Sequence, residues 1–431
     1  MSNETKNKVV PKLRFLEFRD RVVWEESTLN DYLKLLTDFE ANGSFADVKK
    51  NVTVYDKPNF AWYVRATDLE NSSSLEDVKY VDQHSYEFLR KTSLVGGELL
   101  ISKRGEIGKV FFYQSKKNLP ATVAPNLYLL KMNEKAVPKF FFYFFISSEG
   151  NQLLRRLNAS STIGALYKDD VKNIRLYAPP FQEQQKIADC LSSLDELITA
   201  QSQKLQALKT HKKGLMQQLF PAEGETVPKL RFAEFKDSGE WEEKTLSQVA
   251  NYENGKAHEQ DIAETGDFIV VNSKFISTSG EVKKFTNSPF CIAKEGDILM
   301  VLSDVPNGRA IAKCFFVDTG NLYTVNQRIC KITPFNANGM MLFYILNRNS
   351  YFLAFDDGVK QTNLRNEDVL NFPFLLPPTL NEQQKIADCL SSLDEQISAQ
   401  AEKIEALKTH KKGLMQALFP SPEGAHQVNN G

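Results

Sequence analysis

Two strings in this chain come close to a motif for methylating an amino group. In that motif an Asn or Asp accepts from the amine, and two prolines hold it rigid ahead of an aromatic ring. The strings are Ala178-Pro179-Pro180-Phe181 and Asn371-Phe372-Pro373-Phe374. The first lacks the acceptor and the second lacks a proline. No F-x-G-x-G cofactor loop precedes either, so both read as strand ends. A nuclease pattern, D…(D/E)-x-K, can be drawn from Asp267 to Glu281-Val282-Lys283. Asp47-Val48-Lys49, Asp77-Val78-Lys79 and Asp170-Val171-Lys172 show how freely such tripeptides recur here. There is no phosphate-cradling P-loop and no H-E-x-x-H. His211 and His410 sit among Lys209, Lys212 and Lys213, and Lys408, Lys411 and Lys412, as part of a basic edge. His84 and His258 stand alone, which suggests surface roles. Cys190 and Cys389 read as small packing residues. No catalytic residue and no metal site is expected.

The elements that would carry any chemistry belong to an ordinary globular chain, with 42% apolar and 25% charged residues in 431. Formal charge is 53 − 54 = −1, so binding to a polyanion would have to come from local patches. The longest apolar runs, residues 140–146 and 340–346, have seven residues each. A membrane span needs about 20, so no membrane role is expected. The start, MSNETKNKVV, has no apolar signal core. Five cysteines without a C-x-x-C pair point to a reducing cytoplasm.

The strongest pattern is a tandem duplication. VPKLRFLEF at 10–18 returns as VPKLRFAEF at 227–235, and Trp24-Glu25-Glu26 and Thr28-Leu29 return as Trp241-Glu242-Glu243 and Thr245-Leu246. A second block, 183–221, returns at 382–420 with 32 of 39 positions identical. Between the blocks lie unlike segments, roughly 30–178 and 247–376. They share only faint echoes, such as Gly97-Glu98-Leu99-Leu100 with Gly296-Asp297-Ile298-Leu299. The segments therefore share a fold and differ in surface. A constant frame with varied inserts suits a protein that reads two different things.

Each block after a Pro-Pro pair predicts a long helix. Apolar residues alternate at spacings of four and three: Ile187, Leu191, Leu194, Ile198, Leu205, Leu208, Leu215 and Leu219, and again Ile386, Leu390, Leu393, Ile397, Ile404, Leu407, Leu414 and Leu418. That is a coiled-coil seam, broken by polar residues at Gln201, Lys212, Gln400 and Lys411. At 1.5 Å per residue such a helix spans about 58 Å. Two amphipathic helices packed separately on their own domains are the alternative, but a seam two residues in seven wide suits a helix partner better. A pseudo-twofold perpendicular to the coil makes the pair antiparallel.

The layout strongly resembles the specificity subunit of type I restriction-modification enzymes. The resemblance covers nearly the whole chain. It rests on PKLRF-x-EF…W, PP-x(2,3)-EQQKIA and L-x-x-x-LFP, each present twice. It implies a mixed α/β (α+β) fold with two target-recognition domains separated by a long antiparallel two-helix coiled coil. Residues 1–178 would form the first domain, with a lead-in repeat at 10–29. Residues 179–221 would form the central helix. Residues 222–376 would form the second domain, with a lead-in repeat at 227–246. Residues 377–420 would form the C-terminal helix and 421–431 a disordered tail. The resemblance further implies that each domain reads one half of an asymmetric, interrupted double-stranded DNA site. It implies that the helices dock two modification subunits that methylate adenine, and that restriction subunits join them. S-adenosylmethionine, and ATP with Mg for restriction, would belong to those partners and not to this chain.

The residue types that read DNA edges cluster at comparable places in both segments. Arg and Lys suit guanine O6 and N7, Asn and Gln suit adenine N6 and N7, and Ser and Thr suit phosphates or either base. The first segment offers Arg65 and Thr67 at a strand end, Lys103, Arg104 and Lys109 in a loop, Asn126, and Asn158 and Ser160 in a joining loop. The second offers Asn272 and Lys274, Asn307 and Arg309, Asn326, Gln327 and Arg328, and Lys360, Gln361 and Asn363, with Lys256 as an extra. Net charge is +4 over 30–178 (21 basic, 17 acidic) and −2 over 247–376 (12 basic, 14 acidic), so contacts should be few and placed. The six-residue aromatic run 140–145 reads as a buried core helix, because its counterpart 340–345 loses most of the aromatics. A stand-alone methyltransferase or nuclease, or a protein scaffold without DNA binding, are the competing functions.

Overall fold

The computed structural model describes residues 8–21, 23–104, 106–159 and 166–420. The expected tail, 421–431, lies outside the described residues. The chain forms two compact units. One runs to Ser202 and resumes at Glu402, and the other is Gln203–Ala401. The divisions fall inside the two long helices, not at 178/179 or 376/377 where the repeats suggest them. Each unit therefore owns the first half of one long helix and the last half of the other.

Those helices are Phe181–Leu219 and Leu380–Leu418, 39 residues each. Each follows a Pro-Pro pair and stops one residue before the Phe-Pro pair that ends the repeated block, since proline cannot continue a helix. Every seam position is buried or half-buried while most other positions are exposed. In the first unit Lys411 donates to Asp195 Oδ1 at 2.5 Å, and the Tyr143 hydroxyl donates to Asp195 Oδ2 at 2.7 Å. In the second, Lys212 sits 2.6 Å from both oxygens of Asp394, and Tyr344 donates to Asp394 at 2.7 Å. Each lysine also lies over the ring of its tyrosine. The lysines that interrupt the seam are thus matched by carboxylates.

The first unit carries an antiparallel three-stranded sheet of Lys8–Val9, Trp24–Thr28 and Arg175–Ala178. Its four-stranded sheet runs Leu33–Asp38, Leu127–Met132, Leu99–Ser102, Val110–Phe112. A five-stranded sheet contains one parallel pair, Ala61–Val64 with Ala121–Val123. The second unit repeats the plan with Ala250–Asn254, Ile329–Pro334, Ile298–Val301 and Cys314–Phe316 in one sheet. Its parallel pair is Phe268–Val271 with Tyr323–Val325. Both units are mixed α and β. Pro138–Ile146 and Gly339–Leu346 are core helices, with five residues buried in each. Ala178 closes a strand, whereas Pro373 opens one.

The repeated lead-in motif has a physical partner in the repeated helix start. Arg14 grips Glu183 with two bonds, Nε to Oε1 at 2.8 Å and Nη2 to Oε2 at 2.7 Å. Arg231 grips Glu382 in the same way at 2.7 and 2.8 Å. Gln184 donates to Pro179 O and accepts from Val137 N, and Gln383 donates to Pro377 O and accepts from Asn338 N. Each glutamine thereby fixes a core helix to the start of a long one. At the far end, Leu13 N donates to Ala417 O and Leu230 N to Gln218 O, both at 2.9 Å.

His258 is a correction. It is fully buried, with its ring between Lys256 O at 2.7 Å and the Thr324 hydroxyl at 3.0 Å. All five cysteines are free. Among the described residues no helix is long and apolar enough to cross a membrane.

Candidate nucleic-acid interface

The sites are built at the ends of the two parallel strand pairs. In the first unit Val123 lies beside Val64, and Ala124 N donates to Val64 O at 2.9 Å. In the second, Val325 lies beside Val271, and Asn326 N donates to Val271 O at 3.0 Å. Two residues on, Asn126 O accepts from Lys103 N and Arg328 O accepts from Leu302 N, both at 2.9 Å. The chain then enters the strands Leu127–Met132 and Ile329–Pro334. Residues 124–126 and 326–328 therefore occupy the same positions of one frame. Asn126 and the run 326–328 already stand at comparable places of the two segments by sequence, and these backbone bonds fix the residue-by-residue match.

In the first unit Arg65, Thr67, Arg104 and Asn126 converge on one cleft of about 330 Å³, with Tyr63, Glu70 and Glu106 also lining it. Burial raises the Tyr63 hydroxyl well above its ordinary range, so it is a neutral hydrogen-bonding group at any working pH. Arg65 is half-exposed and already engaged, with Nη2 2.5 Å and Nε 3.1 Å from Asp68 Oδ1. Arg104 and Asn126 are exposed, and no hydrogen bond or ion pair holds either side chain among the described residues. Thr67 is exposed in the short helix Ala66–Glu70. Lys109 is bound to Glu106 at 2.8 Å and Glu70 at 3.4 Å, which raises its pKa, the Glu106 bond first.

Lys103 is the second correction. It is 6% exposed, not a surface cation. Its ammonium donates to Asp38 Oδ2 at 2.7 Å and Glu40 Oε1 at 3.1 Å and lies over the Tyr128 ring. Lys168 holds the other oxygen of Asp38 at 2.8 Å. Burial alone would raise Asp38, but the two ammonium groups more than offset it and hold the carboxyl below its ordinary range. The reason is positional: the strand Leu99–Ser102 delivers residue 103 to the interior, as its counterpart delivers Leu302, 7% exposed. Asn158 falls in the last turn of the helix Ser148–Ala159, not in a loop. Ser160 lies outside the described residues.

In the second unit the loop that carries Asn307 and Arg309 is wrapped around Asp304. That carboxylate accepts from Val305 N, Ala310 N and Ile311 N at 2.9, 2.6 and 3.2 Å. A Cβ on Gly308 would fall 2.1 Å from Asp304 Oδ2, so any larger residue there would push that carboxylate out of the loop. Asn307 and Arg309 are exposed, and Asn307 Nδ2 reaches Gly358 O at 3.2 Å. The strand Ser303–Asp304 pairs with Thr362–Asn363, and Gln361 donates to the Ser303 hydroxyl at 2.7 Å. This joins exposed Lys360, Gln361 and Asn363 to the same edge. Lys256 is exposed and bridges to Asn326 in the backbone, and Gly255 packs so closely on Asn326 O that a Cβ would sit 2.1 Å away.

Three polar residues of this unit do structural work. Asn272 caps the helix Ser273–Ser277, accepting from Phe275 N at 2.9 Å, and leaves Lys274 exposed. Asn326 is 9% exposed and accepts from Gln327 N. Gln327 is exposed but donates to Glu259 at 2.8 Å. Arg328 is exposed, and no hydrogen bond or ion pair holds its side chain among the described residues. Asp38, Lys168 and Asp304, which position these loops, carry no motif in sequence.

The model of the type I restriction modification DNA specificity domain matches residues 22–210 and 238–409. The chain belongs to this family. A type I restriction enzyme MjaVIII specificity subunit from Methanocaldococcus jannaschii is 25% identical over 340 residues, covering 75% of each chain. A second protein of that organism, provisionally named a type I restriction enzyme MjaX specificity subunit, is 23% identical over 412 residues and 92% of each chain. The S subunit of a type I restriction-modification system from M. genitalium has the same fold, with a TM-score of 0.61 over 96% of this chain and 99% of that one, at 15% identity. The specificity-domain matches begin after the lead-in motifs at 10–18 and 227–235. Those motifs nevertheless supply the arginines that hold the helix starts.

Proposed function

We propose that this chain is the non-catalytic DNA-reading subunit of a type I restriction-modification complex, each unit reading one half of an asymmetric, interrupted double-stranded site. The observation that carries this reading is a matched frame with unmatched side chains. Arg104 and Asn126 stand exposed at the strand ends of one unit, and Lys274, Arg309 and Arg328 at those of the other. The cationic groups and the amides suit phosphates and base edges. An enzyme duplicated for stability would keep its reacting groups, whereas here the supports repeat and the presented groups differ.

In this proposal the long helices pair as an antiparallel coiled coil. Lys411 with Asp195 and Lys212 with Asp394 fix its register, the established use of polar seam residues. The 32 identical positions of 39 offer one face twice. Two adenine-methylating modification subunits dock there, and restriction subunits join through them. S-adenosylmethionine, ATP and Mg then belong to those partners, and the complex works in the cytoplasm. Native mass spectrometry of the chain with co-expressed modification subunit should give one chain to two partners. A stable one-to-one complex at saturating partner would defeat the docking model. Duplex DNA binding should weaken steeply with salt, and its absence would leave a protein scaffold instead.

A further inference from the structure

We propose that Asn126 and Arg328 are the same reading position in the two units, and that they set different bases there: adenine in one half-site and guanine in the other. The assignment rests on the DNA-reading function proposed above. Three backbone observations make the positions equivalent. Each lies two residues beyond the bond that closes the parallel strand pair, Ala124 N to Val64 O and Asn326 N to Val271 O. Each offers its carbonyl, at 2.9 Å, to the residue that follows the neighbouring strand, Lys103 or Leu302. Each is followed at once by a central strand of the four-stranded sheet. The residue across that bond points inward in both units, 6% exposed at Lys103 and 7% at Leu302. Residues 126 and 328 are exposed.

Their backbones are fixed, and no hydrogen bond or ion pair holds either side chain among the described residues. That combination suits readout, because the backbone places the residue and leaves its head group unspent. The chemistry of the two head groups then separates the bases. An Asn amide has one acceptor and two donors, which match adenine N6 and N7. A guanidinium has donors only, which match guanine O6 and N7 and leave adenine N6 without an acceptor. A frame that presents Asn once and Arg once reads two different bases from equivalent places, and this makes the complete site asymmetric.

The test is selection from a random duplex library by the full-length chain with its co-expressed modification subunit. The wild type is compared with Asn126→Arg, Arg328→Asn, Asn126→Ala and Arg328→Ala. The wild type should enrich a two-part motif. Asn126→Arg should change one base pair of one part from A·T to G·C, and Arg328→Asn should do the reverse in the other part only. The preference at that pair should change on the order of tenfold. The alanine variants should lose the preference at the same pairs, which guards against a misplaced larger side chain. A wild-type motif left unchanged by all four variants overturns the assignment alone. So does uniformly weaker binding with the motif intact, which would mark phosphate contacts. A wild type that enriches no sequence overturns the DNA-reading function and this assignment together.

Discussion

At the scale of single residues, burial separates two kinds of cation that look alike in sequence. Lys103 and Arg104 are neighbours, yet one ammonium is enclosed by Asp38, Glu40 and Tyr128 while the guanidinium is exposed. Removing one partner of a buried ion pair strands the other charge. Lys103→Met should therefore lower the stability of the first unit by about 3 kcal/mol, measured by urea unfolding. Asp38→Asn with Lys103→Leu should cost less than the sum of the single changes, because Leu already fills the equivalent position at 302. The Asp38 carboxyl is held below its ordinary range. Its stabilisation is thus present above the ordinary carboxylate range and is lost as pH falls through the lower folded value. An acid titration of stability should show a smaller loss in Asp38→Asn than in the wild type. The polar loop residues were legible as a set from their types. Their sorting was not, because whether a strand end turns in or out depends on its register with a neighbour many residues away.

At the scale of elements, the two lead-in clasps are a natural comparison. Arg14 with Glu183 and Arg231 with Glu382 have matching bidentate geometry. The tryptophans beside them differ. Trp24 Nε1 donates to Glu183 at 3.3 Å, whereas the buried Trp241 Nε1 has no hydrogen-bond partner among the described residues. A Trp→Phe change removes similar volume at both places, but only at Trp24 does it remove a bond to a carboxylate. Trp24→Phe should be the more destabilising by about 1–2 kcal/mol, read from chemical denaturation of the two variants. The helices and their seam were legible because a 3.5-residue apolar period needs no knowledge of the partner. The repeated PKLRF and EQQ strings were legible as repeats but not as a joint. Their bonds span 169 residues in one unit and 151 in the other, and no local pattern records that distance.

At the scale of the whole molecule, the first unit is completed by the far end of the chain. Met415, Leu418 and Phe419 belong to its core, with the Phe419 ring 5.5 Å from Phe140 and 5.9 Å from Phe144. Leu13 N is bonded to Ala417 O, and Lys411 sits on Asp195. A fragment ending after Pro221 loses all of these. It retains their counterparts at the end of its own long helix: Met216, Leu219, Phe220, Gln218 and Lys212. A second copy of the fragment can supply them, because the bond to residue 417 is made by the backbone and the other four side chains are identical. The fragment is therefore predicted to homodimerise through antiparallel helices, with its core closed by the partner copy. With the modification subunit it should direct methylation to an interrupted palindrome, made of the first half-site and its inverse. Analytical ultracentrifugation at micromolar concentration measures the first step, and a folded monomer there would count against the exchange of helix ends. Methylation-sensitive sequencing measures the second. A dimer that still marked the original asymmetric site would show that one unit does not read one half.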